Sequence, residues 1–377
     1  MTRNLLPAGI DAALRDTLLA RYGATFGTSD KAWRAWVQGT PPAALGDADV
    51  VLFDGEADEA SLARIAAAGA IAIESDREGG QWSDTVRSPM GTWVFSAHAD
   101  DDTAHSPAFV AVLLACLALH FPAHDALCLA RAWQPGSLDW PVDFTRFPHV
   151  RHAALVAPEQ RAEPFAPCPP LGLYAVVPSA EWIERLVPLA VPTVQLRFKS
   201  GDAQAVRSEI KRAAEAARGS VSRLFINDHW RAAIDYHASQ GGDSGIYGIH
   251  LGQEDLDEAD LNALRASGLR LGVSTHGYAE MLRVATIGPS YLALGAIFPT
   301  TTKVMPTAPQ GLGRFHAYVK LMQPVVPSLV GIGGVDAARL PQVLAVGVGS
   351  AAVVRAITEA AEVPAAVTNL LGMFPAA

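Results

Sequence analysis

Cysteine is scarce in this 377-residue chain, and its three copies, Cys116, Cys128 and Cys168, lie far apart with no CxxC pair. That spacing suggests neither a disulfide framework nor a zinc site, and leaves the thiols as packing residues. Long apolar runs are missing too. The most apolar stretch, PAFVAVLLACLALHF from Pro107, falls short of the roughly 20 residues a membrane helix needs, and His120 and Pro122 close it, so a buried helix is expected there. Positive charge is in deficit: 29 Lys and Arg against 38 Asp and Glu give a net charge of -9. A broad nucleic-acid surface is therefore not expected, and an anionic small molecule has to be held by local cations and backbone amides. The opening MTRNLLPAGIDAALRD lacks an apolar core followed by a small-residue cleavage site, so a secretory signal is not expected and a cytoplasmic protein is.

What is present is a composition that can build cores, half of it hydrophobic and 18% charged. The length exceeds what one core usually organises, and two domains are expected, 1–160 and 170–377, with PEQRAEPFAPCPP (158–170) as linker because its proline density suits neither a helix nor a central strand. From about Leu171 short aliphatic runs alternate with amphipathic segments. LYAVV, TVQLR, RLFIN, IYGIHL, RLGVS, YLALGAIF, SLVGIG and SAAVV read as eight strands buried on both faces. The clearest helix between them spans Asp202 to Arg218, with Asp202 as N-cap, Val206, Ile210, Ala213 and Ala217 at helical spacing, and Gly219 as the stop. Eight βα units make a (β/α)8 TIM barrel, preceded here by a smaller α/β domain, and that fold keeps its chemistry in the loops after the strands.

Those loops are polar at nearly every strand end. Arg197 and Lys199 follow the second strand, Asn227 and Asp228 the third, HLGQED with Asp255 the fourth, and Ser274, Thr275 and His276 the fifth. Thr300, Thr302 and Lys303 follow the sixth, Gly333 and Gly334 the seventh, and Arg355 the eighth. Each has a plain alternative: PTTTK as a solvated loop, an aspartate as a helix N-cap, a lone histidine as a structural residue. Together, hydroxyls, glycine amides and cations are what phosphate groups require, and two phosphate sites are expected. One lies at the GIGG turn beside Thr300 and Thr302. The other gathers Arg197, Lys199 and Lys303, where Asp228 and Asp255 make sense if a hard divalent ion such as magnesium sits between them.

Six separated motifs, QLRFK, FINDHW, GIHLGQEDL, LGVSTH, PTTTK and GIGG, resemble in order and spacing those of thiamine phosphate synthases, over roughly residues 170 to 372. The resemblance implies an enzyme that joins hydroxymethylpyrimidine diphosphate to hydroxyethylthiazole phosphate and releases diphosphate. It makes Asp228 and Asp255 magnesium ligands, and Arg197, Lys199, Asn227, Ser274 and Lys303 contacts to the departing diphosphate. It turns Gln195 toward the pyrimidine, and gives the thiazole phosphate to Thr300, Thr302, Gly333 and the backbone around Val354 and Arg355. Two departures stand out, Gly295-Ala296 where the family commonly has Gly-Pro, and Phe198 where an acidic residue or asparagine is frequent. Neither removes a ligand. The implied partners are these two small molecules, with no nucleic acid and no membrane, and a homo-oligomer is left open.

The first half reads as strand, helix, strand, hairpin and long buried helix, an order that faintly resembles the end of a ribokinase-type hydroxymethylpyrimidine phosphate kinase. Such kinases open that helix with a glycine-rich anion hole and an aspartate base; His105, Ser106, Pro107 and Ala108 stand here instead. A degenerate, non-catalytic domain is expected. The competing readings of the whole chain are a thiazole tautomerase on the same barrel and a catalytically silent ligand-binding scaffold.

Overall fold

The computed structural model describes residues 10–37, 44–98, 103–150, 163–300 and 308–375. The chain forms two compact units, Met1–Gln160 with Gly277–Arg283, and Arg161–His276 with Val284–Ala377. Among the described residues no helix is long and apolar enough to cross a membrane. The first five residues of the expected linker, 158–162, lie outside the described residues, and 163–170 form neither helix nor strand.

The first unit holds a six-stranded sheet whose spatial order follows the sequence: β1 (Arg34–Val37), β2 (Asp49–Asp54), β3 (Ile71–Glu78), β4 (Gln81–Ser88), β5 (Gly91–His98) and β6 (His149–Val150). The first three strands pair in parallel, and β3 to β6 form an antiparallel meander. Helices α1 (Ala12–Phe26), α2 (Glu59–Ala67), α3 (Pro107–Ala118) and α4 (Ala123–Ala132) accompany the sheet. The expected strand, helix, strand, hairpin and buried helix are β2, α2, β3, β4–β5 and α3. Helix α3 is apolar all round and buried on nine successive residues, Phe109 to Leu117. Its first turn is closed by its own sequence, because Ser106 accepts a hydrogen bond from the Phe109 N–H. Beside it Arg131 grips the buried Asp84 through two nitrogens, and the Ser75 hydroxyl bridges Asp84 and His105 at 2.6 and 2.9 Å. Burial, with the Arg131 charge adding to it, pulls His105 down to about 4, so the imidazole is neutral and structural near neutral pH.

The second unit contains a closed, all-parallel barrel of eight strands: β7 (Gly172–Val177), β8 (Thr193–Leu196), β9 (Arg223–Asn227), β10 (Ile246–Leu251), β11 (Arg270–Thr275), β12 (Tyr291–Leu294), β13 (Leu329–Gly331) and β14 (Ser350–Val353). All eight expected strands are present. The long sixth run stops at Leu294, because Ile297 and Phe298 leave the ladder to donate to the carbonyls of Ile332 and Gly333. The helix expected over 202–218 spans Ala203–Ala217, with Asp202 accepting from the backbone of Gln204 and Ala205. A backbone that alternates sides along each strand turns Tyr174, Phe225 and Tyr291 into one interior cluster, rings 5.2 to 5.9 Å apart. Three large rings fit because neighbouring strands supply glycines. Gly272 pairs directly with Tyr291, and a Cβ there would fall 2.0 Å from the tyrosine ring; one on Gly248 would fall 2.5 Å from Phe225.

Gly272→Ala therefore overpacks the barrel, and such insertions typically cost about 1–3 kcal/mol. Chemical denaturation followed through the second unit should show that loss, and the double variant Gly272→Ala with Tyr291→Leu should recover part of it. A single variant as stable as the parent would contradict this packing.

Candidate active site

One cavity of about 640 Å³ opens at the C-terminal ends of the barrel strands. Its wall includes Gln195, Arg197, Lys199, Asn227, Asp228, Asp255, Ser274, Thr300, Gly333, Val354 and Arg355, so eleven of the thirteen residues singled out from sequence meet in one space. The other two, Thr302 and Lys303, lie outside the described residues. The wall also holds residues that sequence reading did not assign to the site, among them His250, Glu254, Asp336, Arg339 and Glu359. Of these, His250 had a legible signal. It sits two residues after Gly248 on β10, on the strand face that looks inward, and next to Asn227 in register.

The electrostatic centre is a pair of carboxylates on adjacent strands. Asp228 follows β9 with a left-handed backbone, φ 62°, a conformation that aspartate tolerates better than most side chains. Its N–H still donates to the His250 carbonyl, which keeps it tied to β10. Asp255 lies in the first turn of the helix Gln253–Glu258 that follows β10. The two carboxyl groups lie close enough to shift each other's proton affinity, and Lys199 Nζ lies 2.6 Å from Asp228 Oδ2. Burial alone would raise Asp228, but the hydrogen bond and charge of Lys199 carry it below the usual carboxylate range. Asp255 moves the other way: burial raises it, and the neighbouring Asp228 charge raises it further. Two neighbouring carboxyls, one with its proton affinity lowered and the other with it raised by the first one's charge, form a donor set that a hard divalent cation fits, because the cation would neutralise the charge that the pair concentrates. No cluster of three or more metal-ligating side chains occurs among the described residues, so the remaining ligands would come from substrate oxygens and water.

The opposite side of the cavity is built from backbone. Gly333 and Gly334 have φ of 97° and 65°, and a Cβ on either would strike the 296–299 segment at 2.5 and 2.6 Å. Only glycine fits both the conformation and the approach. Arg339 braces this turn, donating to the Gly334 carbonyl at 2.8 Å while stacking 5.0 Å above Phe298. Two buried or half-buried amides fix the loops between: Gln253 donates to the Ser274 carbonyl, and Gln310 to the carbonyls of Gly295 and His276. The result is a preformed cradle with an acid pair and a lysine at one end and glycine amides at the other.

Residues 173–357 match the family model described as thiamine monophosphate synthase. The thiamine-phosphate synthase of Neisseria meningitidis serogroup B is 54% identical over 198 residues, which cover 52% of this chain and 92% of that protein. Those of Pectobacterium atrosepticum and Escherichia coli O9:H4 are 49% and 50% identical, covering 56% and 55% of this chain and 95% and 94% of theirs. The chain belongs to the thiamine monophosphate synthase family. Family membership and cavity coincide, since the matched residues run from β7 through β14 and include every wall residue named above except Glu359.

The opposed shifts of the acid pair give a direct test. Without the ammonium, Asp228 keeps the burial that raises its proton affinity and loses the strongest of the influences that lower it. In Lys199→Met the Asp228 carboxyl should therefore titrate at higher pH than in the parent, in metal-free protein, read by carbon NMR of labelled aspartate. An unchanged or lower value would show that Lys199 does not control the pair.

Proposed function

We propose that this chain is a thiamine-phosphate synthase that condenses hydroxymethylpyrimidine diphosphate with hydroxyethylthiazole phosphate. The observation that carries this reading is 54% identity across 92% of a thiamine-phosphate synthase, over the segment that builds the cavity. Within it, Asp228 and Asp255 hold magnesium together with diphosphate oxygens, and Arg197, Lys199, Asn227, Ser274 and Lys303 contact the diphosphate. Gln195 faces the pyrimidine. Thr300, Thr302, Gly333 and the backbone of Val354 and Arg355 receive the thiazole phosphate.

The chemistry needs charge stabilisation more than proton transfer. The bond between the pyrimidine methylene carbon and the diphosphate oxygen breaks, and its electron pair leaves with diphosphate. The thiazole nitrogen lone pair then forms the new C–N bond and gives a thiazolium, so no proton is lost and no general base is required. Magnesium supplies charge neutralisation on the leaving group. Arg197 and Lys199 add fixed cations where negative charge grows, and the acid pair keeps Lys199 in place through its 2.6 Å contact. The glycine turn with Arg339 holds the second phosphate so that the nucleophilic nitrogen, not water, faces the carbon.

The first unit is proposed as a non-catalytic relic of a kinase-like domain. Its α3 N-terminus is capped by Ser106, and Pro107 and Ala108 offer neither an open amide cradle nor a base. A cytoplasmic location fits the same biosynthetic role.

Mixing the full chain with both phosphorylated heterocycles and magnesium should yield thiamine phosphate and diphosphate, without ATP-dependent phosphorylation of hydroxymethylpyrimidine or its phosphate. Asp228→Asn and Asp255→Asn should keep the fold, lose on the order of a hundredfold or more in kcat, and recover in part at high magnesium. No thiamine phosphate would overturn the reading; wild-type rates for both variants across a magnesium titration would overturn the metal role.

A further inference from the structure

Five polar side chains inside the barrel form one unbroken line of hydrogen bonds. Gln195 Nε2 donates to Tyr174 Oη at 2.9 Å, the two phenol oxygens of Tyr174 and Tyr291 are 2.7 Å apart, Tyr291 Oη lies 2.7 Å from His250 Nδ1, and His250 Nε2 lies 2.8 Å from Ser274 Oγ. The tyrosines are fully buried and do not reach the cavity wall; Gln195, His250 and Ser274 do. Such a line is unusual for a barrel interior, which is ordinarily filled by branched aliphatic side chains. A buried polar chain of this kind is costly unless every member is satisfied, and here each is joined to the next.

Counting protons fixes what the line can do. Burial raises both phenols, Tyr291 well above its ordinary value, so each keeps its single proton. A phenol between two partners then donates to one and accepts from the other, and a neutral imidazole has one N–H. With a neutral imidazole the line therefore has two self-consistent directions. In the first, Gln195 donates to Tyr174, Tyr174 to Tyr291, Tyr291 to His250 Nδ1, and His250 Nε2–H to Ser274 Oγ. The Gln195 carbonyl oxygen is then left as an acceptor for a ligand, and the Ser274 hydroxyl proton as a donor. In the second direction every bond reverses, the His250 proton moves to Nδ1, the Ser274 proton is spent on His250, and Gln195 offers its amide nitrogen instead.

We propose that Tyr174, Tyr291 and His250 are positioning residues that lock the first direction, so that an acceptor at Gln195 and a donor at Ser274 are presented together. That pattern is complementary to one molecule bearing an exocyclic amine at one end and a diphosphate at the other. The assignment of that molecule rests on the proposed function; the direction of the line does not. It follows that cutting the line at its middle disturbs the recognition of the amine and of the diphosphate at once, although neither Tyr174 nor Tyr291 touches the ligand. The thiazole phosphate, held at the glycine turn, is not read by it.

Two measurements test this on the full chain. Nitrogen NMR of histidine-labelled protein, with the His250 signals assigned by their loss in His250→Gln, should show a neutral ring protonated on Nε2 and bare on Nδ1. Protonation on Nδ1, or a ring charged at neutral pH, would overturn the proposal whether or not the chain makes thiamine phosphate. In steady-state kinetics Tyr291→Phe should raise KM for the pyrimidine diphosphate about tenfold, the usual effect of losing one or two oriented hydrogen bonds, and leave KM for the thiazole phosphate unchanged. Tyr174→Phe should do the same, which guards against a folding defect in one variant. Equal rises in both KM values, or no rise in either, would mean that the line serves stability alone. A parent chain with no synthase activity would remove the substrate assignment while the tautomer still decides the direction.

Discussion

Two carboxyl groups held against each other, with one ammonium beside them, set the terms for the rest of the second unit. Like charges brought together in a half-buried site repel, and the barrel keeps them there because β9 and β10 pair in a fixed register that carries Asp228 and the helix of Asp255 to the same rim. Lys199 offsets part of that repulsion. A second cation therefore has a place, and an anion carrying two phosphates has a reason to enter with it. The proposed chemistry grows from this arrangement: the carboxylate pair becomes complementary to a diphosphate once a divalent ion joins Lys199 and Arg197.

Rigidity comes from elsewhere. On the far side of the cavity, positions 333 and 334 are too close to the 296–299 backbone for any side chain, and Arg339 clamps the turn from outside. Below, Gly248 and Gly272 make room for Phe225 and Tyr291, and the tyrosine continues into the polar line that ends at Ser274. Glycine thus acts twice in this barrel, once to let two backbone segments meet at the cavity and once to let large rings fill the interior. Both uses place donors without relying on flexible surface side chains.

Much of the barrel was readable from sequence for one physical reason. Parallel strands buried on both faces appear as short aliphatic runs, and the polar residues that end them stand out against that background. The acid pair, the cations Arg197 and Lys199 and the glycine turn were legible because each interrupts an apolar pattern. His250 gave a fainter signal, since it sits inside a strand where its inward direction shows only by counting alternate residues from Gly248. The first unit was harder. Helix α1 buries only Leu18, so its periodic signal is faint, and α4 buries nine of its ten residues, His124 and Asp125 included, which erases any polar face. Strands β1 and β6 have four and two residues, too short for alternation to be seen. Nor does a linear reading of domains reveal that 277–283 groups with the first unit, because that depends on contacts distant in sequence.

The claim on which the account turns is that Asp228 and Asp255 hold one divalent ion together. Crystals of the full chain grown with manganese and inorganic diphosphate allow the ion to be located by anomalous scattering. The account predicts a single strong peak within about 2.0–2.3 Å of one oxygen of each carboxylate and of the diphosphate. Diphosphate bound in the cavity with no peak between the two aspartates would contradict it.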